Sequence, residues 1–154
     1  LDLSTWSLAA NYAYTQAKFL TGYLEGQSGY ISNIDLTDKT IPMVPRHRLS
    51  INAGKKFNDA FRIDSNWSYF SEQFMDNDES NSLGRQIPGF SVLDVKASMR
   101  LSDYSLALSV NNVLDREYYS YAVRSQTSGN DKFNVYPHAG RAVFLTLEYA
   151  FDLN

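Results

Sequence analysis

The sequence has no cysteine in its 154 residues, so disulfide bonds and thiolate metal sites are excluded. It has no apolar run of the roughly 18 residues that a membrane-spanning helix needs. The net charge of −3 offers no basic surface for a nucleic-acid partner, so no such partner is predicted. These absences exclude helical membrane proteins but leave β-barrels open, because barrel strands carry only a weak alternation over about 10 residues.

What the sequence does have is alternation of apolar and polar residues, repeated in six segments. In the fourth segment, Leu93, Val95, Ala97, Met99 and Leu101 alternate with Asp94, Lys96, Ser98 and Arg100. The six segments are 6–15, 48–56, 61–69, 93–101, 104–111 and 142–151. A period of two residues sustained in this way predicts β-strands.

The connections between these segments alternate in length. Asn58-Asp59 and Ser102-Asp103 are short polar pairs that predict tight turns. Long polar loops are predicted at 20–46, 75–89 and 115–141. Short turns at one end and long loops at the other are typical of outer-membrane barrels. The pattern predicts six antiparallel strands in one curved sheet.

The alternation also predicts which side chains share a face of that sheet. Outward-facing side chains are expected at Leu93, Val95, Leu106, Leu108, Leu145 and Leu147, and inward-facing ones at Asp94, Lys96, Arg100 and Glu148. Aromatic residues are expected at both rims of the apolar face, with Phe61, Tyr104, Tyr149 and Phe151 near the tight turns and Tyr12, Tyr14, Trp67 and Tyr69 at the other end. Two such girdles match the two interfaces of a membrane.

Three motifs resemble the C-terminal end of TonB-dependent outer-membrane receptors. The strongest is Asn111-Asn112-Val113-Leu114-Asp115-Arg116-Glu117-Tyr118, followed by Tyr136-Pro137 and Gly140-Arg141. The others are 44–49, with its Pro-x-His segment, and 88–94. The resemblance implies an all-β fold: an antiparallel transmembrane β-barrel segment, the last six strands of a 22-strand barrel. Residues 1–154 would be the C-terminal portion of that barrel, without its plug domain and earlier strands. Family barrels usually stop at a terminal Phe, whereas here 152–154 follow Phe151.

The same resemblance implies a function in transport rather than an enzyme. The expected protein is a receptor in the outer membrane of a Gram-negative bacterium that takes up a ferric siderophore. Its expected partners are the siderophore, the TonB complex through the missing N-terminal region, outer-membrane lipid and the barrel-assembly machinery. The alternatives are TonB-dependent uptake of cobalamin, haem or oligosaccharide, a passive porin-type barrel, and a soluble β-sandwich binding module.

Ligand binding is expected on the external loops. The candidate residues share side chains that suit catecholate or hydroxamate chelates through ring stacking and charge attraction. They are Tyr23, Tyr30, Arg85, Tyr119, Tyr121 and Arg124.

No catalytic residue, cofactor or metal site is predicted. His47 and His138 lie far apart in the sequence, so they are interpreted as residues of a strand entry and a turn. The acidic stretch 76–80 invites comparison with a calcium-binding loop, but Asn81 and Ile87 stand where that loop needs Gly and Glu. The stretch is therefore interpreted as a solvated loop tip.

Overall fold

The computed structural model describes residues 3–25, 33–125 and 132–151, and these are almost entirely β-strand and loop. A short 3-10 turn at Leu3–Thr5 precedes the first strand. The strands are β1 (Trp6–Tyr14), β2 (Tyr23–Leu24), β3 (Ile34–Asp35), β4 (His47–Lys56), β5 (Phe61–Phe70), β6 (Phe90–Leu101), β7 (Tyr104–Asn111), β8 (Tyr119–Arg124), β9 (Phe133–Pro137) and β10 (Ala142–Tyr149).

Six of these strands form one antiparallel sheet in the order β1-β4-β5-β6-β7-β10. This confirms the six predicted strands, and β6 begins three residues earlier than the alternation suggested. The tight turns also lie where they were predicted. Asn58 Oδ1 accepts the backbone N–H groups of Ala60 and Phe61 at 2.9 and 2.7 Å, and Ser102 adopts a φ of 51° between β6 and β7. Asn commonly stabilises turns through such side-chain hydrogen bonds.

The register separates an apolar face from a polar face, as predicted. Directly paired residues of neighbouring strands point to the same face. Leu108 pairs with Ala97 and Leu145, whereas Lys96 pairs with Asp64 and Ser109. The apolar face carries most of the leucine, isoleucine and valine residues of the sheet and is open: Leu145 is 70% exposed. Val92 lies on the polar face, where it pairs with Ser68. One aromatic residue of β10 departs from the pattern, because Phe144 pairs with Ser109 on the polar face.

Aromatic side chains cluster at both rims of the apolar face. At the rim near the loops, the Tyr12 hydroxyl and His47 Nδ1 are 2.9 Å apart, and the Trp67 and Tyr69 rings stack. Near the tight turns, the rings of Tyr104 and Tyr149 are centred 4.7 Å apart. The Phe151 ring packs edge-on against Tyr149 at the same rim.

A network of charged and amide side chains covers the middle of the polar face. Arg62 forms an ion pair with Asp64 at 2.6 Å and also donates to Ser7 Oγ on β1. Gly54 lies beneath this pair, because a Cβ there would come within 2.5 Å of the Ser7 hydroxyl and 2.6 Å of both charged groups. Glycine at this position therefore leaves room for the ion pair.

The strongest sequence motif owes its residue types to a turn that follows β7. Asn112 is buried, has a φ of 50° and exchanges two side-chain hydrogen bonds with the backbone of Arg116, at 2.9 and 3.0 Å. Asn tolerates this left-handed conformation better than most residues. Asp115 Oδ1 accepts the backbone N–H of Arg141 at 2.8 Å and lies 3.1 Å from where a Cβ on Gly140 would be. The two halves of the motif thus hold each other in space.

The long connections are more ordered than the sequence indicated, and the prediction of plain polar loops is wrong for two of them. The first contains the β2–β3 hairpin and the third contains the β8–β9 hairpin. A small hydrophobic core lies among the loops rather than in the sheet. It consists of Met75, Leu83, Ile87 and Ala122, with Met43, Tyr119 and Phe133 packed against it. We call these residues the loop cluster.

Candidate ligand-binding site

The β8–β9 hairpin is joined to the loop between β5 and β6 by backbone hydrogen bonds. The Asp76 N–H donates to the carbonyl of Ala122, and the Arg124 N–H donates to the carbonyl of Asp76. Gln73 and Ile87 exchange backbone hydrogen bonds within the same loop. With the loop cluster packed between them, these two segments form one ordered layer above the loop end of the sheet.

An ion pair between Asp78 and Arg124 closes this layer. Arg124 Nη1 donates to Asp78 Oδ1 at 2.7 Å and to Ser82 Oγ at 2.8 Å. The Asp78 side chain is fully buried, and its Oδ1 also accepts the backbone N–H groups of Ser82 and Leu83. The prediction of a solvated tip at 76–80 is therefore wrong. The cause is the distant hairpin, which covers the stretch and supplies a cation to it.

Three of the predicted ligand contacts are engaged in this layer. The Tyr121 hydroxyl donates to Asp76 Oδ2 at 2.7 Å, and this hydrogen bond raises the pKa of the phenol above its ordinary value, with smaller contributions from desolvation and from the charge of Asp76. Tyr119 packs against the loop cluster, and Arg124 forms the ion pair. The loops therefore hold these three side chains in place through contacts with one another.

Of the other predicted contacts, Arg85 borders the loop cluster, whereas Tyr23 lies on a different hairpin. The Arg85 guanidinium is 5.8 Å from the ring centroid of Phe133. Tyr23 lies in β2 and is 66% exposed. Tyr30 lies outside the described residues. The structure therefore brings Tyr119, Tyr121 and Arg124 together and leaves Tyr23 elsewhere in the loop region.

A row of stacked rings lies on the polar face, just below the ordered loops. The rings of Phe70 on β5 and Phe90 on β6 are 5.0 Å apart, and Tyr118 follows at 4.6 Å. His138 completes the row at 4.7 Å from Tyr118, with an interplanar angle of 11°. We call these four residues the ring ladder. Arg48 on β4 extends it, with its guanidinium carbon 5.9 Å from the Phe70 ring centroid.

The ring ladder borders a cavity of about 420 Å³. Arg48, Asp94 and the ring ladder line it, together with Ser120, whose hydroxyl is 2.6 Å from His138 Nε2. Burial raises the pKa of the Tyr118 phenol, and the negative charge of Asp94 raises it further.

Sequence reasoning missed the ring ladder, although a signal for it was present. Phe70 pairs with both Arg48 and Phe90, so the three residues occupy one level of the polar face. Aromatic residues at polar-phase positions of two strands break the alternation, and such a break is a reason to look for a site. Tyr118 and His138 could not be added in this way, because only the folded loops bring them to the same level.

Other kinds of site find no support in the described part of the chain. Within residues 3–25, 33–125 and 132–151, no group of three or more His, Asp or Glu side chains is placed to hold a metal ion. Among the same residues, no helix is long and apolar enough to cross a membrane.

Comparison with known proteins identifies the fold and the family. The family model for the TonB dependent receptor-like β-barrel matches residues 1–113. A search of curated proteins found no match.

Three solved structures illustrate the likeness. The siderophore receptor PiuA from Acinetobacter baumannii has a TM-score of 0.77 at 18% identity, covering 94% of this chain and 19% of that chain. The ferric yersiniabactin uptake receptor FyuA from Yersinia pestis has a TM-score of 0.71 at 17% identity, covering 96% and 21%. The closed form of the ferric-catecholate import receptor Fiu from E. coli K12 has a TM-score of 0.69 at 18% identity, covering 96% and 19%.

At these identities the solved structures show the fold alone, and this chain spans only 19–21% of their length. The family model covers most of the chain and agrees with the antiparallel sheet and its two faces. The chain therefore belongs to the TonB-dependent receptor family and is a fragment of its β-barrel.

Proposed function

We propose that this chain is the C-terminal portion of an outer-membrane receptor barrel that takes up a ferric siderophore in a Gram-negative bacterium. Energy coupling to TonB would pass through a plug and an N-terminal region outside this chain. The protein would act as a transporter and not as an enzyme. Outer-membrane lipid and the barrel-assembly machinery would be its further partners.

The observation that carries the proposal is the asymmetry of the sheet. Its apolar face is open and continuous, with Leu8 76% and Leu147 66% exposed, and aromatic side chains lie at both of its rims. Exposed apolar surface of this extent needs a cover in water. Strands with one apolar and one polar face match the wall of a membrane barrel, whose outer surface contacts lipid.

The siderophore assignment draws on the relatives and on the loop layer. Several structurally similar proteins are receptors for ferric siderophores by name, including those for ferric catecholates and ferric yersiniabactin. In this chain the external loops would carry recognition through Tyr23, Tyr30, Arg85, Tyr119, Tyr121 and Arg124. A rigid layer that presents Tyr and Arg side chains suits an anionic chelate, because less ordering entropy is lost on binding.

The test uses the full-length receptor that contains this chain, expressed in cells that lack their own receptors for the siderophore under study. We expect growth on that ferric siderophore as the sole iron source and loss of growth when TonB is deleted, with surface abundance unchanged. Replacing 118–134 by a short linker should weaken uptake while the barrel still assembles. Truncation after Leu147 should abolish assembly, because it removes Tyr149 and Phe151 from the rim. Growth that persists without TonB would instead support a passive porin-type barrel.

A further inference from the structure

The ring ladder has a form that folding of the sheet does not require. In the middle of the polar face, several side chains pair with one another, such as the Asn66 amide with Asn52 Oδ1 at 2.7 Å. Phe70 and Phe90 interrupt this polar surface and are only half-buried. Apolar rings that remain partly exposed on a polar wall gain little burial energy from folding. They are better explained by contact with something that enters from that side.

The stacking determines which part of each ring faces the cavity. Successive rings of the ring ladder are 4.6–5.0 Å apart, with interplanar angles of 11–25°. Since the ring faces lie against one another, the ring edges border the cavity. Aromatic edges carry partial positive charge and attract the negative face of another aromatic ring in a T-shaped contact. The wall is therefore suited to an aromatic group of a ligand.

The polar groups beside the ring ladder are suited to phenol oxygens. Arg48 lies at the Phe70 end and can donate hydrogen bonds to a phenolate oxygen. Asp94 lines the same cavity, and its carboxylate would repel the coordinated phenolate oxygens and so orient them towards Arg48. One cationic and one anionic side chain leave the local charge balanced, so a simple preference for anions would not come from this wall. Selection would come from ring contact and from the placement of these two groups.

We propose that the ring ladder is a subsite for one aryl arm of a phenolic or catecholic ferric chelate. This inference rests on the proposed function and specifies the class of siderophore. A cavity of 420 Å³ lies within the usual range for small-molecule sites, about 300–1,000 Å³, and so has room for one aryl arm. The remainder of the chelate would extend into the space enclosed by the intact barrel.

The experiment measures binding by the purified full-length receptor to two ferric complexes that differ in charge and in aromatic content, so each variant is compared with the parent receptor for each complex separately. One is a tris-catecholate, and the other is a trihydroxamate without aromatic rings. Phe70→Leu and Phe90→Leu remove the rings but keep apolar volume, and Phe61→Leu on the apolar face is the matched control. Each ladder variant should bind the catecholate about 2- to 10-fold more weakly, the range expected for one aromatic contact. Binding of the trihydroxamate, if it occurs, should be unchanged.

A conservative variant and a folding control complete the design. Phe90→Tyr should retain catecholate binding, because the ring is preserved. Heat-modifiable migration in gels should show that every variant forms a barrel. Equal losses for both complexes, or a wild-type receptor with no preference for the aryl complex, would overturn the subsite while leaving the proposed function intact. If neither ferric complex nor any other ferric siderophore binds, the proposed function fails as well.

Discussion

Arg124→Ala should release the β8–β9 hairpin from the loop between β5 and β6. The substitution leaves the Asp78 carboxylate fully buried without its cation, and Asp78 Oδ2 has no hydrogen-bond partner among the described residues. Breaking a buried ion pair from one side costs about 3–5 kcal/mol. Because the Arg124 side chain is 23% exposed, we expect the lower end of that range, about 3 kcal/mol.

Amide hydrogen exchange measures this loss locally, whereas global unfolding of a barrel would hide it. The informative peptides cover 73–78 and 119–125, because the Asp76 and Arg124 amides join the two segments. A loss of about 3 kcal/mol from the local opening free energy would speed their exchange by about 100-fold. Peptides from β5 and β6 should exchange as in the parent protein.

Two further variants separate the effect of the unpaired Asp78 charge from the effect of the lost side-chain packing. Arg85→Ala removes an exposed guanidinium whose described contact is the Phe133 ring, and it should change exchange by less than about 1 kcal/mol in equivalent free energy. Adding Asp78→Asn to Arg124→Ala should restore part of the protection, because a neutral amide is less costly to bury than a lone carboxylate. Unchanged exchange in Arg124→Ala would refute the structural role assigned to this ion pair.

Three other predictions concern the sheet, the turn after β7 and the loop layer. Leu108→Arg should destabilise the barrel in lipid vesicles by about 2–4 kcal/mol in denaturant unfolding, whereas Ala107→Arg on the polar face should cost much less; equal effects would show that the faces are misassigned. Asn112→Ala should cost about 2–4 kcal/mol, from two lost hydrogen bonds and the left-handed backbone. Asn112→Gly should recover only the part of the lost stability that comes from the left-handed backbone. A glycine variant as unstable as the alanine variant would contradict this division between backbone and hydrogen bonds. The folded-state pKa of Tyr121 is raised from about 10, so its stabilising hydrogen bond should persist below that pH and be lost as pH rises through the raised value. Subtracting the titration of Tyr121→Phe from that of the parent should show a phenol whose pKa is above the ordinary tyrosine value. A pKa at or below that value would count against the hydrogen bond.

The sheet could be predicted from the sequence because each strand carries its own evidence. Leu106 and Leu108 alternate with Ala107 and Ser109, and a one-residue shift of register would exchange their faces. The tight turn at Ser102-Asp103 then pairs β7 with β6. The family motif predicts that these strands are the last ones of a larger barrel. It includes residues such as Asn112, whose type suits one left-handed turn.

The loop layer could not be predicted because the residues that form it lie far apart in the sequence. Met75 follows Phe74 and Ala122 precedes Val123, and neither pair belongs to a period that indicates burial. Asp78 gives no local sign that it is buried, since its cation is supplied by Arg124 from a different hairpin. The interpretation of 76–80 as solvated failed for this reason: the burial of a charge depends on a partner that local sequence does not show.

By itself the sequence determined the six strands of the sheet, their two faces and the tight turns, because a period of two residues and turn chemistry act between neighbours in the chain. Only the tertiary structure decided what lies at the loop end of the sheet. The ring ladder needs Phe70 and Phe90 at one level of paired strands, and Tyr118 and His138 brought beside them by loops. Contacts between residues so far apart in sequence form only after the backbone pairing has fixed the register, and they then place the side chains that a ligand would meet.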